Sequence, residues 1–319
     1  MTLEDLRSLI AVHEQRSFSG AARKLGCTQP AVSQHVQRLE RELGVRLFER
    51  AARGVTATPA GELLIRAASE SLSTLDHALH RFSALRDGSA GNLSITTGGT
   101  TVHHFMRGAV KQFRRALPGV NMQFRGASSS AECIQMLLRE PVDLAFVTIG
   151  EHIEGVRQLP VIELDYVLLT SSKHPLASKT KLRLQDLHGL ECIGLIEGMR
   201  SRDQLSRSLT REGVVPEIAM TVYDWDTAIQ LVELGLGSSI VPSWHAHAAT
   251  ERGPVVAIPI AGLAPIRVGW AMREAYEPLK SASEFMRLLK RDLQSRSIPK
   301  GVRFLRSANS FRLRSPSAG

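Results

Sequence analysis

No stretch of this 319-residue chain approaches the ~20 consecutive apolar residues of a membrane-spanning helix. The first twenty residues carry Glu4, Asp5, Arg7, His13, Glu14 and Arg16 and hold no apolar run of signal-peptide length. The expected compartment is therefore the cytoplasm. Cysteine is scarce: Cys27, Cys133 and Cys192 are odd in number, widely spaced and without a CxxC pair, which argues against a disulfide framework and a structural zinc site. Acidic residues are missing from 295–319, which holds six Lys/Arg and two prolines and reads as a mobile basic tail. Such a tail either adds affinity for a polyanion without specificity or solubilises the chain end.

With 43% hydrophobic residues, the chain has enough apolar material for two or three compact domains. Its formal net charge is +9, unevenly placed. Residues 1–60 hold nine Lys/Arg against six Asp/Glu, residues 61–294 hold 25 of each, and the tail supplies the rest. Positive termini around a neutral middle place polyanion binding at the ends.

Residues 1–58 read as short helices separated by tight turns. Leu6, Leu9 and Ile10, then Phe18, Ala21, Ala22 and Leu25, recur at helical spacing, and Gly26 ends the second helix. Thr28 can cap a third helix, whose first turn tolerates Pro30 because the missing N–H would be unpaired there. Val32, Val36, Leu39 and Leu43 fall on one face of it, leaving Ser33, Gln34, Gln37, Arg38 and Arg41 pointing away. Amide and guanidinium groups so placed can pair with adenine and guanine edges or bind phosphate; they also suit an ordinary solvated face. Residues 45–58 read as a short β-pair around Gly54, and Thr58-Pro59 opens a long helix ended by Asp87-Gly88. Within it Ala68, Leu72, Leu75, Leu79 and Phe82 follow heptad-like spacing, a seam that suits a second copy of the helix or the chain's own core.

From Gly91 strands alternate with amphipathic helices, which predicts open, parallel-type sheets covered by helices. Strands are expected at 93–97, 120–125, 143–147, 166–170, 192–195, 218–222, 238–241 and 267–271, and helices near 103–116, 130–139, 202–212 and 226–235. Nearly 180 residues of this pattern suggest two subdomains around a cleft. Ligands of such folds bind beyond the carboxyl ends of strands, where helix N-termini offer free amides to anions.

Leu3 to Ala67 closely resembles the DNA-binding domain of LysR-type transcription regulators. The residues that carry the match are Ser19-Gly20-Ala21-Ala22-Arg23-Lys24-Leu25, Thr28-Gln29-Pro30-Ala31-Val32-Ser33, Leu43-Gly44-Val45-Arg46-Leu47-Phe48-Glu49-Arg50 and Thr58-Pro59-Ala60-Gly61. Further on, Pro118-Gly119-Val120, Val142-Asp143-Leu144-Ala145, His174-Pro175-Leu176, Gly235-Leu236-Gly237 and Val241-Pro242 are similar to the family's effector half, so the resemblance spans about residues 2–292. It implies an α/β fold class: an N-terminal winged helix-turn-helix (1–58), a linker and dimerisation helix (59–88), and a two-lobed effector-binding domain (89–294) like a periplasmic binding protein. Lobe I would comprise 91–162 with 267–292, and lobe II 163–266.

The resemblance places DNA contacts on Thr28, Gln29, Pro30, Ser33, Gln34 and Arg38 of the recognition helix and on Arg53 and Thr56 of the wing. Ala51, Ala52 and Ala57 depart from the family's usual wing residues. The effector pocket would lie between the lobes, where Thr100, Thr101 and Thr148 follow strands and Arg200 and Ser201 open a helix. A small anion would suit hydroxyls, helix amides and one guanidinium; each threonine equally suits plain capping. Trp225 and Asp226 are the fallback site. The implied partners are double-stranded promoter DNA, a small anionic effector, a second copy or tetramer of the chain, and RNA polymerase if the output is activation. No cofactor or metal is expected.

An enzymatic reading would recruit His103, His104, His245, His247, Cys133 or Cys192. His245-x-His247, expected on a loop after Pro242, lacks an adjacent acid or Cys and reads as a solvated pair. Cys133 lies in an apolar helix run and Cys192 at a strand start, neither beside a base that would favour a thiolate. A two-lobed transport protein would need an export signal and no DNA-binding head.

Overall fold

A computed structural model describes residues 1–51, 54–86, 91–251 and 253–305. Two compact units divide the chain: 1–86 with 138–141, and 87–137 with the residues from 142 onward.

In the first unit, helix α1 (Leu3–Gln15) is capped reciprocally by Thr2 and Asp5, and Ser17 caps α2 (Phe18–Leu25) by accepting from the Gly20 amide. Gly26, left-handed at φ 66°, stops α2 where a side chain would be strained. Helix α3 (Gln29–Leu43) follows, then the antiparallel hairpin β1 (Phe48–Ala51) and β2 (Gly54–Ala57) and the 28-residue helix α4 (Pro59–Arg86). Leu9, Val12, Ala21, Val32, Val36, Leu39 and Leu47 form the core. Leu43, expected on that buried face, is 47% exposed because it lies in the last turn, beyond the helices that cover α3.

The hairpin and α4 are fixed by two close approaches. The Arg16 carbonyl accepts from the Val55 amide at 3.1 Å, and a Cβ on Gly54 would stand 2.4 Å from that oxygen. A Cβ on Gly61 would stand 2.1 Å from the Leu47 carbonyl oxygen, which accepts from the Thr58 amide. The Thr58 hydroxyl donates to the Arg46 carbonyl at 2.7 Å and accepts from the Gly61 amide at 3.0 Å. Thr58-Pro59-Ala60-Gly61 is thus a helix start that must also lie flush against a backbone.

In the second unit the elements run β3 (Asn92–Gly98), a π-helical turn (Val102–Met106), α5 (Arg107–Ala116), β4 (Asn121–Ala127), α6 (Ser130–Arg139) and β5 (Leu144–Thr148). Next come β6 (Val156–Leu164), β7 (Tyr166–Ser171), β8 (Glu191–Leu195), α7 (Arg200–Arg211), β9 (Glu217–Val222) and α8 (Trp225–Glu233). The last are β10 (Ser239–Pro242), α9 (Ser243–Thr250), β11 (Val255–Pro259), β12 (Ile266–Arg273), α10 (Lys280–Ser295) and β13 (Val302–Phe304). A six-stranded sheet ordered β13-β6-β12-β5-β3-β4 carries lobe I; β10-β7-β11 and the pair β8-β9 carry lobe II.

The β8-β9 pair is parallel, but the larger sheets are not wholly so. Strand β3 runs parallel to β4 and β5, but β12 is antiparallel to β5 and β6, and the lobe II triplet is antiparallel throughout. The chain returning from lobe II re-enters the first sheet from the opposite end. Strand β6, absent from the expected strands, contains Pro160; it is accommodated opposite Gly269, where the register with β12 slips by one residue. A Cβ on Gly269 would meet the Leu159 oxygen at 2.2 Å.

The expected tail does not begin at 295. Arg296 donates to the carbonyls of His104 and Phe105 at 2.8 and 3.1 Å and pairs with Asp292, so it ties the end of α10 to the π-helical turn. Strand β13 pairs with β6, and Arg303 bridges Asp165 and Glu163. The tail's Arg306, Arg312 and Arg314 lie outside the described residues.

Candidate functional sites

The recognition surface is built on α3. Thr28 caps it by accepting from the Ala31 amide, Pro30 occupies its first turn, and Val32, Val36 and Leu39 bind it to the core. Gln29, Pro30 and Gln34 are exposed and Ser33 is half-buried, so these residues share the open face at the start of the helix. The Gln29 amide donates to the Ser33 hydroxyl at 2.9 Å, which orders both side chains ahead of any contact with a base.

Arg38 belongs less to that face than its sequence position implies. One of its guanidinium nitrogens lies 3.6 Å from a carboxylate oxygen of Asp5, a fully buried residue, and the same oxygen takes His35 Nδ1 at 2.7 Å. Burial raises the Asp5 pKa, but hydrogen bonds from His35 and from the Thr2 amide and hydroxyl, with the Arg38 charge, outweigh it and hold the carboxyl below its usual 3.8. Arg38 therefore joins the core charge of the head to its surface. Thr56 is exposed on β2 opposite Glu49, and Arg53 lies outside the described residues.

In the second unit one cavity of about 270 Å³ gathers most of the expected effector residues. Thr100 and Thr101 reach it from the end of β3, Thr148 from the end of β5 and Ser201 from the first turn of α7. Trp225, Pro242 and His245 line it beside Ser201 on the lobe II side. Arg200 does not line it. Its guanidinium lies against Gly150, where a Cβ would approach it within 2.1 Å, and it faces a separate groove with Arg207 and Arg267. One residue along a helix turns a side chain by about 100°, so Ser201 faces inward and Arg200 outward. Among the described residues no Lys or Arg lines the cavity.

Two groups were not foreseen. Ser128, Ser129 and Ser130 enter from the start of α6, and the hydroxyl oxygen of the last accepts from the Thr148 amide at 3.1 Å. His245 sits in helix α9 rather than on a loop, is 8% exposed, and leaves Nδ1 buried without a partner; His247 on the same helix is exposed. Burial and the neighbouring His104 push the His245 pKa down to about 3 against the opposing pull of Asp226, so its ring is neutral at physiological pH.

A wider cavity of about 690 Å³ lies on the other side of His245. Its charged groups are largely spent on one another: His104 meets Asp226 at 2.7 Å, and Arg296 meets Asp292. The smaller cavity, with uncommitted hydroxyls at strand ends, is the better ligand site.

Comparison with known proteins agrees with this division. The model of the lysR family of bacterial regulatory helix-turn-helix proteins matches residues 3–62, and that of the LysR substrate binding domain matches 86–294. The chain is 29% identical over 250 residues to the HTH-type transcriptional regulator AlsR of Bacillus subtilis, covering 76% of this chain and 81% of that protein. It is 30% identical over 307 residues to a probable hydrogen peroxide-inducible genes activator of Streptomyces viridosporus, covering 93% and 97%. Full-length CbnR, solved in complex with its target DNA, shares the fold at a TM-score of 0.61 and 24% identity over 91% of this chain and 99% of that one. These families and relatives are transcription regulators, which is the finding against an enzymatic reading.

Proposed function

Because the chain belongs to the LysR family of DNA-binding transcription regulators with an effector-binding domain, we propose that it reads promoter DNA through Thr28, Gln29, Pro30, Ser33 and Gln34 and answers to a small anion held in the interlobe cavity. Short amide and hydroxyl groups on an exposed helix start suit paired contacts to base edges. Arg38, Arg53 and Thr56 hold the sugar-phosphate backbone. Acting on DNA, the protein works in the cytoplasm.

The observation that carries the effector reading is the convergence of Thr100, Thr101, Thr148 and Ser201 on one cavity from separate elements. Helix α7 begins at its wall with no side-chain cap, so first-turn amides are offered to a ligand there, whereas the first amide of α9, that of Ser243, donates to the Asp165 carbonyl. Helix α8 is already capped by Asp224, whose carboxylate accepts from Thr227, and repels an anion there. The anionic head therefore sits toward Thr100, Ser130 and Ser201. Arg200 is not part of the site. A thermal-shift screen of small carboxylates, phosphates and sulfur oxyanions on the full chain tests this, since a ligand of the folded state raises its stability. Thr100→Val should abolish the response and leave DNA binding intact; a normal response would make the β3 loop structural.

The Streptomyces relative is named for hydrogen peroxide. The two thiols of the effector domain, Cys133 and Cys192, are buried and do not favour that chemistry, because the thiolate is the nucleophile; Cys27, in the head, is exposed. Burial holds Cys133 up to about 11 and Cys192 up to about 12.

Dimerisation is assigned to α4. Ala68 and Leu72 are buried within the single chain, while Leu79 is 55% and Phe82 66% exposed. A second copy would cover that apolar end. Leu75→Glu with Leu79→Glu should convert the protein to monomer in light scattering and weaken DNA binding.

A further inference from the structure

The interlobe cavity has an apolar neighbour. Behind it in lobe II, between α7 and the β8-β9 pair, lies a hollow of about 220 Å³ lined by Leu205, Leu209, Val214, Ile218 and Ile240. Leu195 and Trp225 line both spaces, so these two side chains form the partition. Trp225 is half-buried in the first turn of α8 and packs against core residues on either side of it.

The lining is chemically sorted. Hydroxyls of Thr100, Thr101, Thr148 and Ser130 stand at the lobe I end of the cavity, and the hollow beyond the partition is walled by aliphatic side chains. Arg202, at the rim of the hollow, donates to the Leu195 carbonyl at 2.5 Å and to Glu197 at 3.4 Å, so its charge is engaged outside. Size points the same way. At about 270 and 220 Å³ each space is smaller than the roughly 300–1,000 Å³ of ordinary ligand sites, and together they fall inside that range.

We propose that the effector is an amphipathic anion, a carboxylate whose head lies among the hydroxyls of lobe I and whose apolar tail passes Leu195 and Trp225 into the hollow of lobe II. This rests on the anion reading given above and adds the ligand class to it. A molecule so placed touches both lobes at once. It therefore favours one relative arrangement of them over others, which a switching ligand must do.

The test is isothermal titration of the full chain with acetate, butanoate, hexanoate and octanoate, with 1-hexanol as the uncharged control. Beyond butanoate, affinity should rise about three- to fourfold per added methylene until the hollow is filled, and hexanoate should bind far more tightly than 1-hexanol. Ile218→Asp places a carboxylate at the hollow from a position 41% exposed; it should remove the gain with chain length and leave acetate binding unchanged, whereas Ile218→Val should keep the gain. Should Ile218→Asp fold poorly, Ser206→Phe at the exposed rim narrows the hollow to the same effect. Short anions binding with no dependence on chain length would overturn the tail and leave the anion reading standing. Binding of 1-hexanol equal to that of hexanoate would overturn the anionic head. No binding by any carboxylate would overturn both.

Discussion

In the DNA-binding head, the side chains offered to solvent on α3 and the wing stand on a frame held by a local cap and two backbone contacts within the first 61 residues: Thr28 caps α3, Gly54 lies on Arg16, Gly61 on Leu47. In the effector domain, Thr100, Ser130, Thr148, Ser201 and His245 meet across more than a hundred residues of chain. The head's surface is set by local backbone requirements, and the cavity by the way β12 carries the chain from lobe II back into the first sheet. The head's contacts are to backbone atoms, whereas the cavity is lined by side chains drawn from many elements.

The sharpest way to break this comparison is a glycine exchange. Gly61→Val should cost the head about 3 kcal/mol or more, because backbone rather than a flexible side chain stands 2.1 Å from the new Cβ. Gly126→Ala, on β4 with nothing within 4 Å of its Cβ position, should change the effector domain by less than about 0.5 kcal/mol. Denaturant unfolding of the two variants would show whether the Leu47 carbonyl fixes the start of α4, and Gly269→Val, 2.2 Å from the Leu159 oxygen, should be as costly to the effector domain.

Acid should separate the two parts next. His245 is held neutral in the folded state with a pKa of about 3, below its ordinary 6.5, so unfolding takes up a proton between those values. Its contribution is complete above pH 6.5 and is lost as pH falls toward 3. That amounts to at most about 2 kcal/mol by pH 5, at 1.36 kcal/mol per unit. Asp5, whose pKa is lowered, contributes above 3.8 and loses that contribution only as pH falls through its folded value. The effector domain should soften first on acidification, and His245→Gln should flatten its slope between pH 6.5 and 5. A head that melts first over that range would contradict the assignment.

How much was legible in the sequence follows the same division. The helix starts at Thr58-Pro59 and Thr28-Gln29-Pro30 are legible directly, because a cap and a first-turn proline are properties of adjacent residues, whereas the close approach of Gly61 to Leu47 is not. Thr100, Thr101 and Thr148 were placed by their positions after strands. Arg200 was misplaced because charge suggested a role that helix phase denies it. The Ser128–Ser130 run carries no sequence signal of its own, since serines at a helix start also serve as ordinary caps. His245 was taken for a loop residue because Ser243–Thr250 follows a proline and has no capping side chain. Strand β6 escaped because Pro160 argues against a strand interior, and only the slip opposite Gly269 makes room for it.

The smallest effect should come from the chain end. Arg296 and Arg303 are committed to the fold, so removing 306–319 should leave the stability of the effector domain unchanged. If the remaining arginines touch DNA, the truncation lowers nonspecific affinity and its salt dependence while the specific footprint persists. No change in either would make the segment a solubilising end.

The account rests most on the open face of α3 reading bases while Arg38 serves backbone and core. Selection of preferred sites from random DNA by the full chain and by Gln34→Ala tests it most directly. Gln34→Ala should relax or change preference at one base pair by roughly 1–3 kcal/mol, whereas Arg38→Ala should weaken binding to all sequences alike. An unchanged motif for Gln34→Ala would contradict the claim.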